Sequence, residues 1–125
     1  MIKGIGIDLV QKNRIELIHK KYKDSFARKI LSKNELVQYK NSESKTTFLS
    51  KRFASKEAFS KAIGTGLYRN GLYPADITIK HDTFGKPEFL INKKTMLFLE
   101  RIEASSVYLS ITDTDDLAAA MVVTE

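Results

Sequence analysis

The stretch Phe53-Ala-Ser-Lys-Glu-Ala-Phe-Ser-Lys-Ala-Ile-Gly-Thr-Gly66 restricts this chain more than any other. Its spacing predicts the last turns of a helix closed by a glycine. Phe53, Glu57 and Lys61 recur every four residues, which lines up an aromatic ring, a carboxylate and an ammonium on one helical face. Phe59, Ala62 and Ile63 form a second, apolar face suited to packing on a sheet. Gly64 and Gly66 stop the helix, because glycine takes left-handed dihedrals cheaply. On its own, Glu57 with Lys61 reads as a solvated ion pair worth about 0.2–0.5 kcal/mol.

A second stretch, Met1-Ile-Lys-Gly-Ile-Gly-Ile-Asp-Leu-Val10, changes that reading. Strand alternation places Ile5 and Ile7 on one face and Gly4, Gly6 and Asp8 on the other. Asp8 ends an apolar run, so its carboxylate requires a partner: a cation, backbone amides at a strand-to-helix turn, or a metal.

The remaining chain is read in order. Its 125 residues suit one domain with a single core. The absence of cysteine excludes disulfides, thiolate nucleophiles and cysteine-based zinc sites. Nothing reads as a signal peptide or membrane span, which predicts a cytoplasmic protein. A net charge of +6 suits a polyanionic partner: nucleic acid, an anionic cofactor or an acidic protein. No recognition-helix motif supports nucleic acid.

Asn13 is placed to cap a helix over 14–22, with Ile15, Ile18 and Tyr22 as its apolar stripe and Arg14 among its basic residues. Asp24 starts a further helical turn that exposes Arg28. Ser32-Lys-Asn-Glu35 is a capping box, a structural signal without chemistry. A loop over 41–46 leads into the long helix, about 46–63. There Arg52 and Lys56 are like-charged and four apart: two solvated cations, or a pair with an anion such as phosphate between them. A strand over 76–80, a turn at 82–85 and a strand over 86–91 make a hairpin, with Pro87 where an amide is dispensable. A helix over 92–103 turns Met96, Leu99 and Ile102 inward. Two strands, 107–112 and 117–123, close the chain. The last is poor in bulk, as strands are that lie close to another backbone, including another subunit's. The pattern predicts an α+β fold: a small, mainly antiparallel sheet packed on a long helix.

Gly6-Ile7-Asp8, Phe53-Ala-Ser-Lys56-Glu57-Ala58-Phe-Ser-Lys61, Gly64-Thr65-Gly66, Gly85-Lys86-Pro87 and the closing Ser110-Ile-Thr-Asp-Thr occur in this order along essentially the whole chain. In combination they resemble the short branch of the 4′-phosphopantetheinyl transferases, the holo-acyl-carrier-protein synthases. The resemblance implies that fold, with the C-terminal strands at a subunit interface of a homotrimer. It implies transfer of the phosphopantetheine arm of coenzyme A to a serine of an apo acyl carrier protein, in fatty acid biosynthesis. Asp8 and Glu57 match the ligands of magnesium, for which manganese is a possible substitute, and Lys61 matches the lysine at the phosphates. Arg52 is a candidate for the 3′-phosphate. Ser60, Gly64, Gly85, Lys86, Pro87 and Thr112 are candidates for the rest of the coenzyme. Arg14 and Arg28 match contacts to the acidic carrier protein.

One departure stands out. Asp113 occupies a position where the family commonly has a histidine that approaches the phosphates from a neighbouring subunit. An anion there is expected to weaken coenzyme binding unless it turns away or joins the metal shell. A subunit that keeps the fold but has lost catalysis is the alternative this departure leaves open.

Overall fold

The computed structural model describes residues 1–125. The first strand, β1 (Gly4–Gln11), runs directly into α1 (Lys12–Tyr22), followed by α2 (Asp24–Ile30), α3 (Lys33–Asn41) and the long α4 (Lys45–Ala62). A 3₁₀ turn (Pro74–Asp76) precedes the hairpin β2 (Thr78–His81) and β3 (Pro87–Leu90). Helix α5 (Lys93–Arg101) and the strands β4 (Val107–Asp113) and β5 (Leu117–Thr124) complete the chain. The main sheet is antiparallel in the order β1-β5-β4, and β2-β3 form a separate two-stranded ladder. The architecture is the expected α+β, with sheet and long helix as its two layers.

Helix α4 lies on the sheet at backbone distance. A Cβ placed on Gly6 would stand 1.8 Å from the carbonyl oxygen of Ala58, and one on Gly4 equally close to that of Ala62. Only glycine fits at either position. Gly6 pairs with Val122 and Asp8 with Ala120 across β5, so Ala118, Ala120 and Val122 share this inner face and are buried. The bulk-poor last strand packs this inner face under the chain's own helix. The outer face carries Ile5, Ile7 and Leu9, each more than half exposed, with Tyr108 and Met121 beside them.

Three local expectations are corrected. Asn13 caps nothing: α1 starts at Lys12, directly after the strand, with Gln11 at its cap and no side-chain bond there. In α5 the buried stripe is Thr95, Phe98 and Leu99, and Met96 is 49% exposed. Asn92 caps the helix through Thr95 and fixes that phase, which leaves Met96 one position off the stripe. The polar loop before α4 shrinks to Ser42–Ser44, because Ser44 caps the helix through Thr47. The Ser32–Glu35 capping box is present as predicted.

Candidate active site

Strand period two puts Asp8 on the same face as Gly4 and Gly6, and those glycines let α4 lie against it. The ammonium of Lys61 reaches over the strand and donates to the Ile7 carbonyl oxygen at 2.9 Å and to Asp8 Oδ1 at 3.2 Å. Glu57 is one turn back on the same helical face. Gly64 (φ 78°) and Gly66 (φ 75°) then end α4 just beyond Lys61. Asp8 and, some fifty residues later in the sequence, Glu57 and Lys61 thus line one groove of about 660 Å³, together with Arg14, Phe26 and Phe53.

Its electrostatics are dominated by two partly desolvated carboxylates. Burial raises the Asp8 carboxyl above its ordinary value despite the hydrogen bond and charge of Lys61. Burial also raises Glu57, and the charge of Asp8 adds to this while Lys61 opposes it. Two carboxylates share a partly desolvated groove with a single ammonium. No third acidic or histidine side chain joins them in a ligand cluster. The donor set fits a hard divalent cation that completes its shell with oxygens of a substrate and water. A slightly larger groove, about 700 Å³, lies between β3, β4 and α5; about half its lining is apolar, and its Glu88 is partly exposed with Lys80 at 3.9 Å rather than desolvated beside a second carboxylate.

The other predicted residues fall elsewhere. Ser60 is fully buried and its hydroxyl donates to the Glu57 carbonyl oxygen at 2.7 Å, so it does not open on the groove. Arg52 is buried. Its Nη2 donates to Gln38 at 2.9 Å and its guanidinium stacks over Phe48 at 4.5 Å. It lines a second groove with Lys51, His81, Gly85 and Pro87, while Lys86 faces the apolar groove. Thr112 lies opposite Ala119, on the outer face of the sheet. Asp113 accepts from Lys12 Nζ at 2.9 Å and lies 3.3 Å from Lys51 Nζ. These ammonium groups hold its carboxyl below the ordinary value. Asp113 therefore joins no carboxylate pair; it is an anion compensated by two cations. Arg14 opens on the first groove, and Arg28 is exposed on α2 without an ion-pair partner.

The anion between Arg52 and Lys56 is neither solvent nor phosphate. It is Glu35, fully buried, with Oε1 2.5 Å from Lys56 Nζ and Oε2 3.1 Å from Arg52 Nε. Its capping box explained Glu35 locally and hid this second role. One signal was available: Lys56 shares a helical face with Phe59 and Ile63 at spacings of three and four, which marks it as inward. Lys12, also buried, carried no such signal.

Residues 4–122 match the model of the 4′-phosphopantetheinyl transferase superfamily. The chain belongs to that superfamily. Among its relatives within this superfamily are holo-[acyl-carrier-protein] synthases of Neisseria meningitidis, 42% identical over all of this chain and 99% of theirs, and of Nitrosomonas eutropha, 43% identical over the same shares. The crystal structure of the Neisseria meningitidis synthase superposes with a TM-score of 0.93, covering all of this chain and 99% of that one. The Bacillus anthracis synthase in complex with CoA (3′,5′-ADP) is 36% identical and superposes at 0.82, over 99% of this chain and 96% of that one.

Proposed function

We propose that this protein transfers the 4′-phosphopantetheine moiety of coenzyme A to a serine of an apo acyl carrier protein, releasing adenosine 3′,5′-bisphosphate. The observation that carries the reading is the convergence of Asp8, Glu57 and Lys61 in one groove, at the positions where the superfamily resemblance expects metal and phosphate contacts. The coenzyme-bound relative supports the choice of substrate.

Asp8 and Glu57 hold magnesium, or manganese in its place, and the cation supplies neutralisation of charge on the pyrophosphate. Lys61 turns from Asp8 to the phosphates, where its charge stabilises the transition state. The serine hydroxyl attacks the β-phosphorus, its proton leaves to water, and the bond to the bridging oxygen of the nucleotide breaks. Phe53 and Phe26 shield the groove from water and keep its dielectric low. Arg14, at the edge of this groove, and Arg28 receive the acidic carrier protein. Gly85, Lys86 and Pro87, with Arg52, bound the nucleotide end; Gly64 frees the helix terminus beside Lys61.

The exposed Ile5, Ile7, Leu9 and Met121 are an apolar sheet face of the kind that neighbouring subunits cover, and we take the assembly to be a homotrimer of single-domain chains. No helix is long and apolar enough to cross a membrane, in keeping with a cytoplasmic enzyme of fatty acid biosynthesis.

The test is the intact mass of an apo acyl carrier protein after incubation with this protein, coenzyme A and magnesium. One added phosphopantetheine, lost with EDTA, is the expected result. An unchanged mass, with the protein folded and several carriers tried, sinks the reading.

A further inference from the structure

The second groove, about 500 Å³, is bounded by two ion clusters that each carry one positive charge in excess. In the first, Lys12 and Lys51 share the single carboxylate of Asp113. In the second, Arg52 and Lys56 share that of Glu35. Lys51 and Arg52, neighbours on α4, present these excesses to the same space. The nearby Asp82 is committed to its own turn: Oδ1 accepts from the amides of Phe84 at 2.8 Å and Lys86 at 2.9 Å. Glu43 stands exposed at the rim. No salt bridge joins Glu43 to Lys51 or Arg52, so the excess charge stays on those two cations.

His81 sits between these clusters. It is the last residue of β2, paired in register with Pro87, so the strand end directs it into the groove beside the Gly85 turn. Partial burial disfavours its charged form most, Arg52 and Lys51 add to this, and Asp82 offsets them less. An imidazole whose charged form is disfavoured by burial and neighbouring cations regains it when an anion enters among them. Ser44 and Thr47 add hydroxyls to the same lining. Such a set suits a phosphate monoester: a compact dianion, met by two fixed charges and a third that arrives with a proton.

We propose that His81 contacts the 3′-phosphate of coenzyme A in this groove as an imidazolium, and so selects the phosphorylated coenzyme over its 3′-dephospho form. The inference rests on the proposed use of coenzyme A. Affinity falls as pH rises through the ionisation of His81 in the complex, because the imidazolium that donates to the phosphate is lost. The groups that face it and set this ionisation are Lys51 and Arg52 from α4, Asp82 from the hairpin, Glu43 from the connection before α4, and Asp113 through Lys51.

Steady-state kinetics with coenzyme A and 3′-dephospho-coenzyme A test this on the wild type, His81→Asn and His81→Lys. His81 is exposed at a strand end, so both variants are expected to fold. At about pH 6, His81→Asn should raise KM for coenzyme A by roughly tenfold, the worth of one charged hydrogen bond, with kcat kept and KM for the dephospho form unchanged. By about pH 8.5 the wild type should have lost that advantage, while His81→Lys should keep a low KM at both pH values. Equal KM for wild type and His81→Asn at the lower pH, or equal losses for both coenzymes, would overturn the proposal.

Calorimetry with adenosine 3′,5′-bisphosphate in two buffers of different ionisation heat gives a readout that needs no turnover. Proton uptake should exceed that of His81→Asn, a difference in which the phosphate's own ionisation cancels. A protein that binds with His81-dependent uptake but transfers nothing keeps this inference and loses the proposed function. One that transfers without such uptake does the reverse.

Discussion

Helix α4 carries two lysine–carboxylate pairs five residues apart, and they have opposite characters. Lys56 and Glu35 are both wholly buried. Their partners are complete: Lys56 Nζ also donates to the Ile30 carbonyl oxygen at 2.6 Å, and Glu35 accepts from the amides of Ser32 at 3.0 Å and Ile79 at 3.2 Å. This pair ties α2, α3, α4 and β2 together and has no capacity left for a ligand. The side chain of Lys61 is 51% exposed, that of Asp8 16%, and a second carboxylate stands nearby with its proton affinity raised. Here the charges are under-compensated and reachable. A closed pair organises the fold; an open one is poised for a cation and a phosphate. The difference comes from the sheet: Lys61 emerges where α4 crosses two glycines and ends, whereas Lys56 points away from it into the gap between α3 and β2.

The comparison breaks most clearly through its carboxylates. Glu57→Gln should lower transfer by roughly 10³-fold, by loss of a metal and charge-stabilising contact, and leave thermal stability unchanged or raised, since it relieves repulsion with Asp8. Glu35→Ala should do the reverse, costing about 3–5 kcal/mol because it strands Lys56 and Arg52 in the interior. Denaturant melts and initial rates on both variants settle this. A Glu35→Ala protein with wild-type stability would end the division into closed and open pairs.

Gly6→Ala sharpens the geometric half of the comparison. The added methyl would meet the Ala58 carbonyl oxygen, a backbone atom of α4, at 1.8 Å. The expected cost is about 1–3 kcal/mol or more from overpacking, together with a shift of α4 that carries Lys61 off Asp8. Activity should therefore fall further than the folded fraction does. Loss of both in proportion would mean that the glycines serve packing alone.

What was legible beforehand divides along the same line. The helix over 53–63, its glycine stop and the shared face of Glu57 and Lys61 are local consequences of spacing, and all are present. Strand alternation likewise put Asp8 with the glycines. Alternation names a face without saying what covers it, so only the family resemblance joined Asp8 to a helix some fifty residues away. Glu35 was read correctly but incompletely, for the opposite reason. Its capping box accounted for it completely at short range, and nothing local announced that the same carboxylate would meet cations from a later helix. For Asp113 the sequence left open whether the anion turns away or joins the metal shell, and it could not name the two ammonium groups that meet it. Lys12, at the start of α1, and Lys51, within α4, reach it at the end of β4, so three elements far apart in sequence meet there.

The smallest effect expected is a pH signature of the closed pair. Burial lowers the Lys56 ammonium from 10.5 to about 8, against the opposing pull of Glu35. Below that value the folded and unfolded chains both hold the proton, and the folded state bears the full cost of a buried charge. As pH rises from the folded value towards the unfolded one, the folded protein gives up its proton while the unfolded chain keeps it. The unfolded state then binds more protons, so this residue's contribution to stability rises across that window and levels off above it. Lys56→Met removes the titration, so the stability of the wild type relative to the variant should increase between about pH 8 and pH 10 in urea melts. A constant difference for Lys56→Met across the window would mean that Glu35 holds the lysine charged throughout. The pair would then be a permanent ion pair, closed to protons as well as to ligands.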